Sequence, residues 1–366
     1  MAGLGFGLIA LVLFLVVLGG LVLIHELGHY LTARAFNVRV LEFGFGFPPR
    51  AKVLRTRGET LWTLNWLPIG GFVRMEGEDG DSADDPRSFS AQRLAVKLAI
   101  LVAGVVLNIV LAWVIFFGIA LLASPVIGFT IGEVEPSSPA AAAGLQAGDE
   151  ITGVANETFD WLGRQNVTES LRAHAGETIP LQVVRESGST EMVTVTLRPP
   201  EQLSDQVGAL GVRGLGVEFH DEYVGHGFAP SASIATDEVT RWGGLILGGL
   251  ASLVDGIIKD PTAPPPASGP IGIAVSLAQI FTESGPILTL YVAAILSVNL
   301  GVVNILPFPP LDGGRSAVLI IKRIFGSRVS LRAERLTYAV GFVVLMAFIL
   351  WISGFDIARL GSGGTP

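Results

Sequence analysis

The sequence predicts a polytopic α-helical membrane protein with about four spans, a membrane-associated β element and an inserted α+β domain. Three observations carry that prediction. Half of the 366 residues are hydrophobic and only 15% are charged, where soluble domains carry about a quarter. The apolar residues gather in runs without a charge: Met1–Ile24, Leu98–Gly132, Ser284–Leu311 and Leu336–Phe355. Each run reaches the roughly 20 residues a helix needs to cross a bilayer. Charge is also segregated. Tyr30–Lys97 holds 10 Lys+Arg and Arg315–Arg335 holds 6, whereas Ser124–Pro286 holds 7 against 20 acidic residues.

Taken in order, span 1 covers about residues 5–29. The alternative of a cleavable signal peptide fits poorly, because no basic amino-terminal region precedes the run and a polar motif, not a small-residue cleavage site, follows it. A β-rich loop comes next, with strands expected at 41–47 and 61–66, bounded by Pro48–Pro49 and Pro68–Ile69–Gly70–Gly71. Apolar strands between two spans are expected to dip into the protein interior. The acidic stretch Glu76–Asp85 is expected to be a mobile loop. Span 2 covers about 94–123 and completes a first region, 1–124.

The second region, 125–203, reads as a compact domain with short strands at 130–134, 179–184 and 192–197. In the third, 204–283, residues 205–230 read as irregular, 234–259 as an amphipathic surface helix, and 261–270, with five prolines, as a linker. The fourth, 284–366, contains spans 3 and 4, at about 286–306 and 336–354. The Lys/Arg bias places the two basic loops in the cytoplasm. The acidic domain and both termini then lie outside. No basic, aromatic-interleaved patch points to nucleic acid.

The chemistry concentrates in His25–Glu26–Leu27–Gly28–His29. On a helix, positions i and i+4 share a face, so both imidazoles can take one ion, with Glu26 offset by roughly 100°. Ionisable residues at the end of an uncharged run are costly in a membrane and usually mark function. The chain has no cysteine, so any metal must be held by histidine and carboxylate. His174, His220 and His226 fall in the outer portion. The best third ligand is Asp312, in Asn304–Ile305–Leu306–Pro307–Phe308–Pro309–Pro310–Leu311–Asp312–Gly313–Gly314, on the same membrane side as the histidines. Capping of a helix is the alternative role for Asp312, and a His/His/Asp set suits several divalent ions.

The chain resembles the site-2 protease family of intramembrane zinc metalloproteases, most of all the bacterial regulator-of-sigma-E-protease type. The resemblance runs through nearly the whole chain. It is carried by the His25–His29 motif, Phe45–Gly46–Phe47–Pro48, Pro68–Val73, Gly104 with Asn108, and Asn304–Gly314. Valine follows Gly104 where the family usually has proline. The resemblance implies Zn2+ held by His25, His29 and Asp312, with Glu26 as base and Asn304 on the substrate backbone. It also implies a membrane-reentrant β element, ending at Gly70, Gly71 and Phe72, that presents the substrate. Expected substrates are single-span membrane proteins such as anti-sigma factors or signal-peptide remnants, cut in a bacterial cytoplasmic membrane with the active site toward the cytoplasm.

The stretch from Phe129 to Ile151, with Pro136–Ser137–Ser138–Pro139–Ala140 and Gly148–Asp149, resembles a single PDZ domain of the bacterial protease type. That implies capture of peptide termini, with Ile127–Gly128–Phe129 as the candidate amide loop, or else steric exclusion of large ectodomains. Two other readings compete. An inactive PDZ-bearing scaffold needs none of His25, Glu26, His29 and Asp312, and a zinc transporter should carry polar residues along several spans.

Overall fold

The structure, a computed structural model, describes residues 2–78, 85–159, 161, 167–204, 207–260, 262–265, 267–326 and 331–362. Most of the acidic Glu76–Asp85 loop lies outside the described residues. The chain forms two units, Met1–Phe116 with Ala235–Pro366, and Phe117–Ile234.

The first unit is built on long apolar helices. α1 (Ala2–Ala35) and α2 (Leu94–Leu122) bracket two long strands, β1 (Val40–Arg57) and β2 (Thr60–Met75). The unit continues with α5 (Phe228–Lys259), α6 (Pro270–Ile305), α7 (Asp312–Phe325) and α8 (Leu331–Gly361), once α3, α4 and β3 to β10 of the second unit have intervened. Among the described residues five helices are, by length and composition, long and apolar enough to cross a membrane, which makes the chain a polytopic helical membrane protein. The fifth beyond the four expected is α5. Asp237, Glu238, Arg241, Asp255 and Lys259 interrupt its apolar run, so a search for uncharged stretches passes it over. Near its start, Glu238 is buried yet paired: it accepts from Arg241 at 2.6 Å, Trp242 at 3.0 Å and Tyr291 of α6 at 2.8 Å.

α6 also differs from expectation, beginning at Pro270 instead of near 286. Gly285, with φ of +78°, breaks it in front of Pro286. Pro270, Ile273 and Leu277 of the first segment line one apolar cavity with Leu296, Leu300 and Val303 of the second. The chain therefore doubles back at Gly285, a conformation glycine reaches without a Cβ penalty.

β1 and β2 are bent, and each supplies two arms to one antiparallel sheet. Residues 42–45 pair with 71–74 on one side and with 61–64 on the other, while 61–64 also pair with 52–56. The arm order is thus 71–75, 40–47, 60–65, 50–57, with Gly70–Met75 at an edge. Two of these four arms, the expected 41–47 and 61–66, are legible as aromatic alternation. The sheet is anchored on Tyr30 of α1, which meets Phe43 and Trp62 edge-on at 5.6 and 5.3 Å. Glu42 is buried and held by Arg50 at 2.6 Å and Thr63 at 2.8 Å, so its charge is compensated.

The second unit contains β3 (Ser124–Thr130), β4 (Glu133–Val134), α3 (Pro139–Ala142), β5 (Glu150–Val154), β6 (Glu157–Thr158), α4 (Val167–Ala173), β7 (Thr178–Val184), β8 (Thr190–Thr196), β9 (Val212–Arg213) and β10 (Gly216–Val224). Its main sheet runs β10-β3-β5-β7-β8. Gly148, at φ of +88°, turns the chain into the wholly buried β5. Two expectations are corrected here. Residues 205–230 are not irregular throughout: β10, rich in Val, Phe and Tyr, pairs with β3 at 216–219 and again at 223–224, with an irregularity between. Ile127–Gly128–Phe129 is not an amide-presenting loop, because it lies inside β3, opposite Val217–Phe219, and Ile127 donates to the Phe159 carbonyl at 2.8 Å.

Leu181 is fully buried among Ile151, Val154 and Val195 in this unit. Leu181→Ala is expected to destabilise the unit by about 2–5 kcal/mol, the usual cost of such a cavity, measured by denaturant unfolding of the full chain.

Candidate metal centre

Gly28 lets two helix backbones touch. A Cβ at Gly28 would lie 2.4 Å from the carbonyl oxygen of Ala103 on α2. With hydrogen there instead, α2 comes close enough for its backbone to serve the histidines of α1. The imidazole of His29 donates from Nδ1 to the carbonyl of Ile100 at 2.8 Å. That fixes the tautomer and leaves the Nε2 lone pair free for a metal.

His25 is oriented by a residue the sequence reading counted only as a marker of resemblance. The amide of Asn108 lies 3.3 Å from Nδ1 of His25, and its Oδ1 is buried with no partner among the described residues. Turned so that Oδ1 faces the ring, the amide accepts Nδ1–H and satisfies the orphaned oxygen. Nε2 of His25 then also keeps its lone pair for a metal. Asn108 is itself fixed, since its carbonyl accepts from Ser297 of α6 at 2.8 Å. An asparagine inside an apolar span is the one signal in the sequence that could have pointed to this role.

Asp312 arrives from the far end of the chain. The loop between α6 and α7 folds so tightly that a Cβ at Gly313 would meet the Ile305 carbonyl oxygen at 2.1 Å, and one at Gly314 would meet the backbone of Phe308 at 2.4 Å. The two glycines therefore carry Asp312 inward. Its Oδ2 lies 2.9 Å from Nε2 of His25 and 3.2 Å from Nε2 of His29.

The three donor atoms lie within 4.8 Å of one another. Two imidazole nitrogens with fixed tautomers and one carboxylate oxygen fit zinc, and they leave a fourth position for water or substrate. Gly104 keeps the adjacent space clear, because a Cβ there would sit 2.7 Å from both Nε2 atoms. The donors open on a cavity of about 350 Å³. Glu26 lines it and accepts from the backbone N–H of Val73. Gly71, Phe72 and Asn304 line it as well. A Cβ at Gly71 would be 3.5 Å from the Glu26 side chain, so the edge arm of the sheet passes beside the glutamate. Gly70 stands one residue back from the cavity, in a left-handed conformation at φ of +78° against Phe47. His174 and His220 take no part: His174 is satisfied by the Ser170 carbonyl at 3.0 Å and His220 by Glu150 at 2.6 Å.

Residues 13–348 match the model of peptidase family M50. The zinc metalloprotease RasP of Geobacillus kaustophilus is 29% identical, over 96% of this chain and 98% of the relative. A Clostridium acetobutylicum protein described as a candidate zinc metalloprotease is 30% identical, over 95% and 97%. A Campylobacter jejuni protein described in the same way is 29% identical, over 94% and 92%.

Gly104→Ala is expected to expel the metal, because the new methyl occupies the space beside both Nε2 atoms. Gly118→Ala, on the same helix with nothing within 4 Å, is the matched control and keeps it. Metal content of the two purified variants, measured by mass spectrometry, checks the pair.

Proposed function

The chain belongs to peptidase family M50 and is a zinc metalloprotease of the site-2 type; from that premise we propose that it cuts membrane proteins within or beside their transmembrane segments. The observation that carries the proposal is the meeting of His25, His29 and Asp312 next to Glu26, at helix depth, beside the open edge of a sheet.

We assign His25, His29 and Asp312 as the metal ligands. Zinc held there supplies Lewis-acid chemistry, polarising the scissile carbonyl and lowering the pKa of water toward about 7. Glu26, one position along α1 from His25, takes the proton from the attacking water and passes it to the leaving amine. Asn304, on the cavity wall, offers its amide to the substrate backbone. A helical substrate has its carbonyls bonded internally and must unwind to be cut. Pairing with the Gly70–Met75 edge satisfies the released backbone groups, and Phe72 flanks that edge in the cavity.

Four spans fit this reading better than five. α1 and the second segment of α6 deliver ligands to one place, so the crossings between them must be even in number. α2 and that segment make two. The first segment of α6, at about 15 residues, is about 22 Å long and too short for a hydrocarbon core of about 30 Å. Counting α5 as a span would therefore strand Asp312 on the wrong side, and α5 is read as lying in the membrane surface. By the Lys/Arg bias the site faces the cytoplasm of a bacterial cell. The second unit is read as a single PDZ-like domain outside, selecting substrates by binding peptide ends or by excluding bulky ectodomains.

With a fluorescent single-span substrate, Glu26→Gln is expected to keep about one zinc and lose at least about 100-fold in cleavage rate. Asp312→Ala is expected to lose both metal and cleavage. Wild-type cleavage by the glutamine variant would remove Glu26 from its role. For the substrate, placing Gly or Pro in the segment to be cut is expected to raise the rate over a Leu-rich segment. Equal rates in a matched pair would contradict the unwinding step.

A further inference from the structure

The apolar cavity between the two segments of α6, of about 210 Å³, adjoins the catalytic one. Leu300 lines both and so forms part of the wall between them. On α1 the step from one cavity to the other is a single turn. Val22 lines the catalytic cavity and Leu18 the apolar one, with Phe14 a further turn away on the same face. On α6, Leu296 stands one turn from Leu300 and continues its side of the wall. The two cavities therefore follow one seam between α1 and α6. It runs from Glu26 toward the amino-terminal half of α1, which is the outer half of the membrane in the proposed topology.

The walls offer nothing to a charge. Among the described residues that line the cavity, Asn299 is the one polar side chain. Leu277, only 1% exposed, closes it from the first segment of α6. That segment is fixed at its start. Asp356 of α8, itself fully buried, accepts from the N–H groups of Gly269 and Gly272 at 3.0 and 2.9 Å, as suits a carboxylate at a helix N-terminus. A cavity held open between apolar walls takes an apolar occupant. Its volume of about 210 Å³ exceeds the roughly 150 Å³ that holds a benzene ring, so a leucine or phenylalanine side chain fits. Continuity with the catalytic cavity and the depth narrow the choice. Leu18 lies eight residues before Glu26, or about 12 Å along a helix axis. An unwound chain covers about 12 Å in about four residues.

We propose that this cavity receives a large apolar side chain of the substrate, about three to five residues from the cut bond on its extracytoplasmic side. Leu18, Leu296 and Leu300 set the preference through the fit of that side chain. The inference rests on the proposed cutting of membrane segments and deepens it by naming a residue type the segment must carry.

The chain has no cysteine, which permits a test that needs no cutting. In the Glu26→Gln protein, Leu296→Cys is combined with single-span substrates that carry one cysteine at successive positions, and disulfide cross-links are counted. The expected yield peaks about three to five residues from the bond that the wild-type protein cuts. Should Leu296→Cys misfold, judged by lost zinc, Leu18→Cys carries the comparison. In the cutting assay, leucine at the peak position is expected to raise kcat/KM about tenfold or more over alanine, the scale of apolar pockets. Leu296→Phe, which fills the cavity, removes that preference, whereas Val16→Phe, exposed on α1, keeps it. Cross-links at no position, or a preference that survives both Leu296→Phe and Leu18→Phe, would overturn the subsite and leave lipid chains as the occupant. Failure to cut any substrate would count against the proposed function instead, and the cross-links would still decide the subsite.

Discussion

The contact of α1 with α2 at Gly28 sets the rest of the active centre. With a Cβ at Gly28 only 2.4 Å from the Ala103 carbonyl oxygen, any larger residue must drive the helices apart. Separation would take the Ile100 carbonyl away from His29 and the Asn108 amide away from His25. Both imidazoles would then lose the bonds that fix their tautomers. Gly104 extends the same logic by keeping a side chain out of the space beside the two Nε2 atoms. Small residues let helices pack closely in membranes, where no hydrophobic force drives them together. Here that closeness also builds the second layer of bonds around a metal site.

The third proposed ligand, Asp312, depends on an equally tight fold at the other end of the chain. Gly313 and Gly314 admit no Cβ against the Ile305–Pro309 backbone, and Gly341 of α8 leaves room for the Pro309 carbonyl. The prolines of this loop end α6 and the glycines let α7 start immediately, so Asp312 opens a helix while facing the histidines. Arg315, one turn on, ties the same helix to the end of the β element through Glu78. The proposed metal ligands and the strand edge beside Glu26 are thereby held in a fixed relation, and unwound backbone laid on that edge would lie near Glu26.

Much of this was legible in the sequence because it is local. The His25–His29 spacing needs only a helix, and Asp312 stands out as a carboxylate at the end of an uncharged run. What escaped depends on partners distant in the chain. Asn108 looks like an isolated polar residue until His25 is beside it, 83 positions away. The arms at 50–57 and 70–75 lack an apolar alternation of their own and exist because 61–64 and 42–45 pair with them. β10 was hidden among glycines, and its strand character comes from β3. α5 was expected as a helix over 234–259; what the sequence did not show is its earlier start at Phe228 and the pairing of Glu238 with Arg241 and Tyr291. The doubling back of α6 rests on one left-handed glycine; Pro286 beside it marks the break, but not that a helix from Pro270 precedes it.

The most direct test of the account is X-ray absorption at the zinc edge on the purified protein and on His29→Ala and Asp312→Asn. The account predicts a wild-type shell of two imidazole nitrogens with oxygen donors at about 2.0–2.2 Å. It predicts that one imidazole is lost in His29→Ala and that the shell is altered, or the metal released, in Asp312→Asn. A shell with three imidazoles, or one identical in wild type and both variants, would contradict it.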